Sequence, residues 1–410
     1  MAYRPGMATD ATGVAGDVRS RVHDLLAAHD PVTTPRLDFL RARFDVGLAW
    51  VHYPTGLGGL AAPRSLQAVV DAELTAAGAP GNDPGRIGIG LGMAAPTILT
   101  FGTPEQRQRW LRPLWTGEEV WCQLFSEPGA GSDLAALATR AVLQPDGDTW
   151  VVDGQKVWTS NAHSARWGIL LARHDPGAVK HAGLTYFVCD MTDPGVEVRP
   201  LRQLTGEAEF NEVWLTGVRI PDGQRLGPIG AGWQVAQATL MNERVAIGGA
   251  AAPRESGMIG VSARLWRERP ELRTPELHDR LLALWVDAEV NRIAGQRLRQ
   301  QLAAGEPGPE GSANKLAFAR LAQAISALEV ELRGEEGLGY DDWALRRPDS
   351  VDFTGQTTGR GPGYRYLRAR GNSIEGGTSE ILRNIIAERV LGLPAEQRVD
   401  TAVPWRDLPR

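Results

Sequence analysis

Lysine is nearly missing from this chain: Lys156, Lys180 and Lys315 are the only three, and arginine supplies every other basic side chain except histidine. With abundant alanine, glycine and proline, the bias reads as a codon-usage habit rather than a binding device. Cysteine is scarcer still. Cys122 and Cys189 lie neither in a Cys-x-x-Cys pair nor beside clustered histidines, so no disulfide framework or zinc site is indicated, and a reducing cytoplasm is the expected setting. No uncharged apolar run approaches the roughly 20 residues that cross a bilayer, and residues 1–17 lack the basic-then-apolar pattern of a secretory signal. A strong charge imbalance is also missing: the formal net charge of −5 gives no reason to look for nucleic acid or an anionic membrane. Internal repeats and low-complexity tracts are absent.

What is present suffices for a large core. A length of 410 residues with 42% hydrophobic content exceeds one ordinary domain and predicts two or three units. Residues 14–118 show helical spacing, as in Val18, Val22, Leu25 and Leu26 or Leu37, Leu40 and Phe44, broken by Pro/Gly clusters at 53–59 and 79–85. Gly88, Gly90 and Gly92 follow no strand, so close helix packing is expected of them rather than a nucleotide loop. After Glu127 short β-rich pieces appear at 141–143, 150–152, 157–159, 168–171, 185–188 and 196–198, with Asp146-Gly147 and Asp153-Gly154 as hairpin dipeptides. Helical spacing returns at 233–251, 275–304, 312–333 and 379–391, the last closed by Gly392 and Pro394, while 337–372 is polar and irregular. The expected class is α+β: an N-terminal helical domain (1–120), a small antiparallel β-barrel or sandwich (121–231) and a C-terminal helical bundle (232–410).

Two stretches carry candidate chemistry. The first, 121–161, opens with Trp121-Cys122-Gln123-Leu124-Phe125-Ser126-Glu127-Pro128-Gly129-Ala130-Gly131-Ser132-Asp133 and closes with Gly154-Gln155-Lys156-Val157-Trp158-Thr159-Ser160-Asn161. Gly129 and Gly131 permit a tight turn and close approach of a flat ligand, three serines offer hydroxyls, and Trp158 offers an aromatic wall. A dinucleotide fingerprint it is not, since the third glycine and a βαβ unit are missing; on these grounds alone an ordinary polar turn fits as well. The second stretch is the helix at 233–251, where Ala236, Leu240, Glu243 and Ile247 share one face. A carboxylate buried in an apolar stripe has its pKa raised toward neutrality, which suits a general base. Pairing of Glu243 with Arg244 or another arginine at the core edge is the commoner fate of such a residue.

Taken whole, these stretches resemble acyl-CoA dehydrogenases, and the resemblance covers almost the entire chain. Met241-Asn242-Glu243-Arg244-Val245-Ala246-Ile247-Gly248-Gly249 is similar to the helix from which isovaleryl-CoA and long-chain acyl-CoA dehydrogenases supply their base. Other members use a Tyr-Glu-Gly-Thr motif, where this chain reads Ser373-Ile374-Glu375-Gly376-Gly377-Thr378-Ser379-Glu380, with Gly376 at the base position. The resemblance implies FAD and α,β-desaturation of an acyl-CoA thioester, with Glu243 taking the α-proton, Glu375 as runner-up, hydride passing to flavin N5, and the backbone N–H of Gly376 binding the thioester oxygen. By the same token Leu124, Phe125, Ser126, Gly131, Trp158, Thr159, Ser160, Thr378 and Glu380 would meet the cofactor, and Ser132 and Arg244 the substrate. An electron-transfer flavoprotein would take the electrons, within a homotetramer, homodimer or hetero-oligomer. The family's adenine motifs are altered, with Arg264-Leu265-Trp266-Arg267-Glu268-Arg269 at the first and Arg333 and Glu336 replacing residues of the second. An acyl-CoA oxidase, a flavin monooxygenase or a non-catalytic partner subunit would share the scaffold.

Overall fold

The computed structural model describes residues 11–248, 253–303, 309, 311–340, 342–350, 359–398, 400 and 402–408, without the side chains of 11–14, 243–248 and 302–303. The first block is helical: α1 (Ala11–Ala28), α2 (Arg36–Asp45) and α3 (Gln67–Ala76) close over one apolar cluster holding Val18, Val22, Leu25, Phe39, Leu48 and Val70. Next, α4 (Pro84–Ile89) runs through a π-helical turn (Gly90–Ala94) into α5 (Ala95–Phe101). A Cβ at Gly90 would sit 3.1 Å from Leu114, so close packing accounts for that glycine, whereas one at Gly88 would meet nothing. α6 (Pro104–Thr116) begins with a reciprocal cap between Thr103 and Gln106 and stops at Gly117, whose φ of +80° suits glycine.

Seven strands follow: β1 (Trp121–Leu124), β2 (Arg140–Leu143), β3 (Thr149–Ser160), β4 (Trp167–Arg173), β5 (Leu184–Asp190), β6 (Val196–Pro200) and β7 (Phe210–Pro221). The sheet order is β1-β4-β2-β3-β7-β6, with β5 also on β4. Pairing is antiparallel as expected for β2–β3, β3–β7, β4–β5 and β6–β7, but β1 and β2 each meet β4 in parallel. Asp146-Gly147 makes the expected hairpin, Asp146 accepting from the N–H groups of Asp148 and Thr149. Asp153-Gly154 does not. The pieces at 150–152 and 157–159 are one strand, and the register shifts between Val152 and Gly154, where a Cβ would lie 2.4 Å from Thr139 Oγ1. β7 occupies 210–221, where polar residues hide the alternation of buried Asn211, Val213 and Leu215.

The last part contains α7 (Gly232–Gly248), α8 (Met258–Glu268), α9 (Pro275–Ala303), α10 (Gly311–Leu332), α11 (Pro362–Arg368) and α12 (Ser379–Ile385). α11 falls inside the stretch expected to be irregular, because its Pro/Gly start and two arginines mask about two turns of helix. A shared core unites Trp110, Trp115, Trp121, Trp167 and Tyr186 with Val235 and Ala236, so α7 is seated against both the sheet and the first helices. Among the described residues no helix is long and apolar enough to cross a membrane.

Candidate active site

The glycine turn after β1 is braced by a buried ion pair. Lys156, fully buried on β3, donates from Nζ to Glu127 Oε1, Phe125 O and Leu171 O, each at 2.9 Å. These acceptors use all three ammonium protons, which is the condition for burying that charge. Glu127 also accepts from the N–H groups of Ala138 (2.6 Å) and Thr139 (2.9 Å). Burial pushes its carboxyl up, yet Lys156 and these donors outweigh burial and hold it below the usual carboxylate range. The brace fixes buried Leu124 and Phe125 and the adjacent Ser126, whose carbonyl accepts from Val157 N–H at 2.9 Å. Gly131 and Ser132 lie on the exposed side of the turn, and a Cβ at Gly129 or Gly131 would meet nothing within 4 Å.

At the far end of β3, Trp158 is 58% exposed with a φ of +60°, a left-handed conformation uncommon for an aromatic residue. Its cause is local: the β3–β7 register shifts between Lys156 and Thr159, and the bulge re-aims the indole. The ring packs edge-on against Phe210 at 5.8 Å. Beside it, buried Thr159 Oγ1 and both amide atoms of Asn161 have no hydrogen-bond partner among the described residues, and Ser160 is half-buried. An exposed indole, an open glycine turn and unspent buried polar atoms where the end of β3 meets the turn after β1 fit a flat ring with a polar rim, such as a flavin.

α7 turns Val235, Ala236 and Thr239 inward. Thr239 Oγ1 lies 3.0 Å from the Tyr186 hydroxyl on β5 and 2.9 Å from Thr97 Oγ1 on α5, and Thr97 donates to Met93 O in the π-helical turn at 2.8 Å. One buried hydroxyl chain therefore pins sheet, first helices and α7 together, one turn before Glu243. Glu243 and Arg244 lie on α7, but their side chains fall outside the described residues.

The loop before α12 turns on Gly376 (φ +63°) and Gly377 (φ +96°). Glu375 is gripped by Arg368, Nη1 to Oε1 at 3.2 Å and Nη2 to Oε2 at 3.0 Å, and accepts from Asn372 at 2.6 Å. Thr378 caps α12 by accepting from Ile381 N–H at 3.2 Å, and exposed Glu380 pairs with Arg383 at 3.2 Å. Sequence spacing brought none of Lys156, Glu127, Thr239, Lys315 or Arg368 forward. All three lysines are buried. Lys156 holds Phe125 O, Lys180 bridges Asp133 and Asp400 at 2.6 Å each, and Lys315 donates to Gly377 O at 2.7 Å.

Family models of acyl-CoA dehydrogenases match successive parts of the chain: the N-terminal domain over 15–118, the middle domain over 122–218 and the C-terminal domain over 230–391. The class is thus that of a flavoprotein oxidoreductase. The chain is 42% identical over 354 residues to acyl-CoA dehydrogenase FadE34 of Mycobacterium tuberculosis, covering 85% of this chain and 45% of that one, so it spans less than half the length of that relative. It is 38% identical over 313 residues to acyl-CoA dehydrogenase IpdE1 of the same organism, covering 75% of each. A solved structure, the Tcur3481-Tcur3483 steroid ACAD, matches with a TM-score of 0.70 at 25% identity over 95% of this chain and 99% of that one. This chain belongs to the acyl-CoA dehydrogenase family, whose members are FAD-dependent.

Proposed function

We propose that the chain desaturates the α,β-bond of an acyl-CoA thioester, with Glu243 as the base, and that its acyl group is steroid-like. One observation carries the reading: a contiguous set of contacts links the candidate flavin wall to the candidate thioester loop. Trp158 meets Phe210, the Arg368 guanidinium lies 5.9 Å from the Phe210 ring, and Arg368 holds the residue preceding Gly376. Bound FAD would supply the two-electron acceptor that receives the hydride from the β-carbon. Leu124, Phe125, Ser126, Gly131, Thr159 and Ser160 would hold its ring against Trp158, with Thr378 and Glu380 near its far half. Glu243 would take the α-proton as the Cα–Cβ double bond forms. The Gly376 N–H would donate a hydrogen bond to the thioester oxygen as charge develops there, and Ser132 and Arg244 would steady the substrate. Glu375 is the weaker base candidate because its carboxylate is already bound by Arg368 and Asn372.

The domain limits at 120 and 231, a cytoplasmic setting and electron delivery to an electron-transfer flavoprotein belong to the same proposal. Assembly with another chain, like or unlike, is supported by a stripe of exposed apolar residues along α9: Leu282, Val286, Val290 and Ile293. Steroid-like acyl groups are supported by the likeness to the steroid ACAD.

The test is an anaerobic visible spectrum of the FAD-loaded protein, titrated with straight-chain, branched and steroid-side-chain acyl-CoA thioesters. The expected result is bleaching of the flavin band by the steroid thioester, abolished by Glu243→Gln and only slowed by Glu375→Gln. A protein that takes up no FAD would sink the reading, and rapid oxygen consumption during turnover would move it to an oxidase.

A further inference from the structure

We propose that Lys315 and Arg368 are positioning residues for the backbone N–H of Gly376, clamping it from both sides; the inference rests on the thioester reading above. Two consecutive glycines with positive φ form a flexible pair, and a flexible donor stabilises a developing charge poorly, because it must be ordered at the moment of reaction. Here each neighbour of Gly376 is tied to a buried cation. On the preceding side, Arg368 forks the Glu375 carboxylate at 3.0 and 3.2 Å, with Asn372 adding a third donor. On the following side, Lys315, fully buried on α10, donates to Gly377 O at 2.7 Å.

Arg368 reaches further. Its Nη2 lies 3.1 Å from Glu209 Oε1, at the start of β7, and its guanidinium faces Phe210, which packs on Trp158. Glu209 in turn accepts the Asn161 N–H through its carbonyl at 3.1 Å. One guanidinium therefore sets the distance between the wall at Trp158 and the donor at Gly376. Burial pulls the Arg368 pKa down, and Glu375 and Glu209 more than offset it, so the fork stays charged throughout the working pH range.

The probe is a 3-thia-acyl-CoA carrying the acyl group that bleaches the wild type. Such a thioester is not desaturated, but it loses its α-proton on binding and then gives a long-wavelength charge-transfer band with oxidised flavin. The pH midpoint of that band reports stabilisation of the thioester oxygen, which a purely structural role would not move. FAD content and thermal midpoint are recorded for each FAD-loaded variant. Lys315→Met and Arg368→Met are expected to raise the band's midpoint by about one pH unit or more, a tenfold loss of α-proton acidity. Arg368→Lys should recover part of that shift. Glu375→Gln, which keeps the side chain's shape and its hydrogen bond from Asn372, should raise the midpoint by less, and it carries the test if a methionine variant does not fold. FAD-loaded variants that titrate with the wild type would overturn the inference alone, as would a Glu375→Gln variant with no band at any pH, since Glu375 would then be the base. A wild type that binds thioesters but never shows the band would remove the functional reading and this inference together.

Discussion

At the glycine turn after β1, one lysine reaches three oxygens whose residues all lie within 31 positions of it in the chain. Around the loop before α12, arginines reach across the chain: Arg360 binds Glu207 at 2.8 Å over a separation of 153 residues, and Arg368 joins Glu209 to Glu375. The difference follows from the shapes of the two cations. A compact ammonium can be enclosed by carbonyls pointing in three directions, whereas a planar guanidinium needs carboxylates that meet its edges. Two backbone carbonyls and one carboxylate, all nearby in the chain, serve the first; Glu207 and Glu209, recruited from a distant stretch of the chain, serve the second.

The largest expected effect tests the local brace. Lys156→Met leaves Glu127 buried without its cation and two carbonyls without a donor, and should cost about 3–5 kcal/mol together with most FAD retention. Lys156→Arg should not rescue it, because a planar fork does not meet three divergent oxygens. Arg360→Met should cost less, about 2–3 kcal/mol, because Glu207 keeps the hydroxyl of Tyr364 at 2.9 Å. Urea denaturation followed by tryptophan fluorescence and by flavin absorbance ranks the two; a larger loss at Arg360 would reverse the comparison.

A buried group with no such brace sharpens the contrast by its pH dependence. Burial, helped by Arg64, lowers the His52 pKa from 6.5 to about 4. Above pH 6.5 both folded and unfolded states carry it neutral, so it contributes nothing. As the pH falls below 6.5 the unfolded chain takes up a proton that the fold refuses, and stability drops until about pH 4. Glu127 works lower: its depressed pKa contributes stability above the ordinary carboxylate value of 4.5, lost as the pH falls from there. Stability measured from pH 8 to 3 should therefore decline in two stages, and His52→Gln should shrink the upper one, to which half-buried His163, His174 and His181 also contribute, while leaving the lower.

Legibility in the sequence divides along the same line. The stretch at 121–161 could be read because its parts are contiguous and its turn residues act locally, and helices such as α9 and α10 could be read from periodicity. Asp153-Gly154 misled, since the same dipeptide serves a bulge when another backbone passes close to it. Arg360 and the arginines of α11 gave no signal: their carboxylate partners Glu207 and Glu209 precede β7 and Glu329 lies on α10, and spacing carries no information about which distant residues meet. The positive φ of Trp158 was equally hidden, because the register shift that produces it depends on β7.

The smallest predicted effect probes the junction between the two regions. Thr239→Val keeps the side chain's shape and removes the hydroxyl that hydrogen-bonds Tyr186, leaving a phenol buried against an apolar surface. The cost should be about 1–2 kcal/mol, and adding Tyr186→Phe should bring stability back toward the wild type, since removing both partners strands no polar group. The functional consequence is separable from that cost. If the hydroxyl chain sets the rotation of α7, the rate of flavin bleaching by acyl-CoA should fall in Thr239→Val and stay low in the double variant, because stability is repaired there while the pin one turn before Glu243 is still gone. Recovery of the bleaching rate in the double variant would show instead that apolar packing alone fixes the helix.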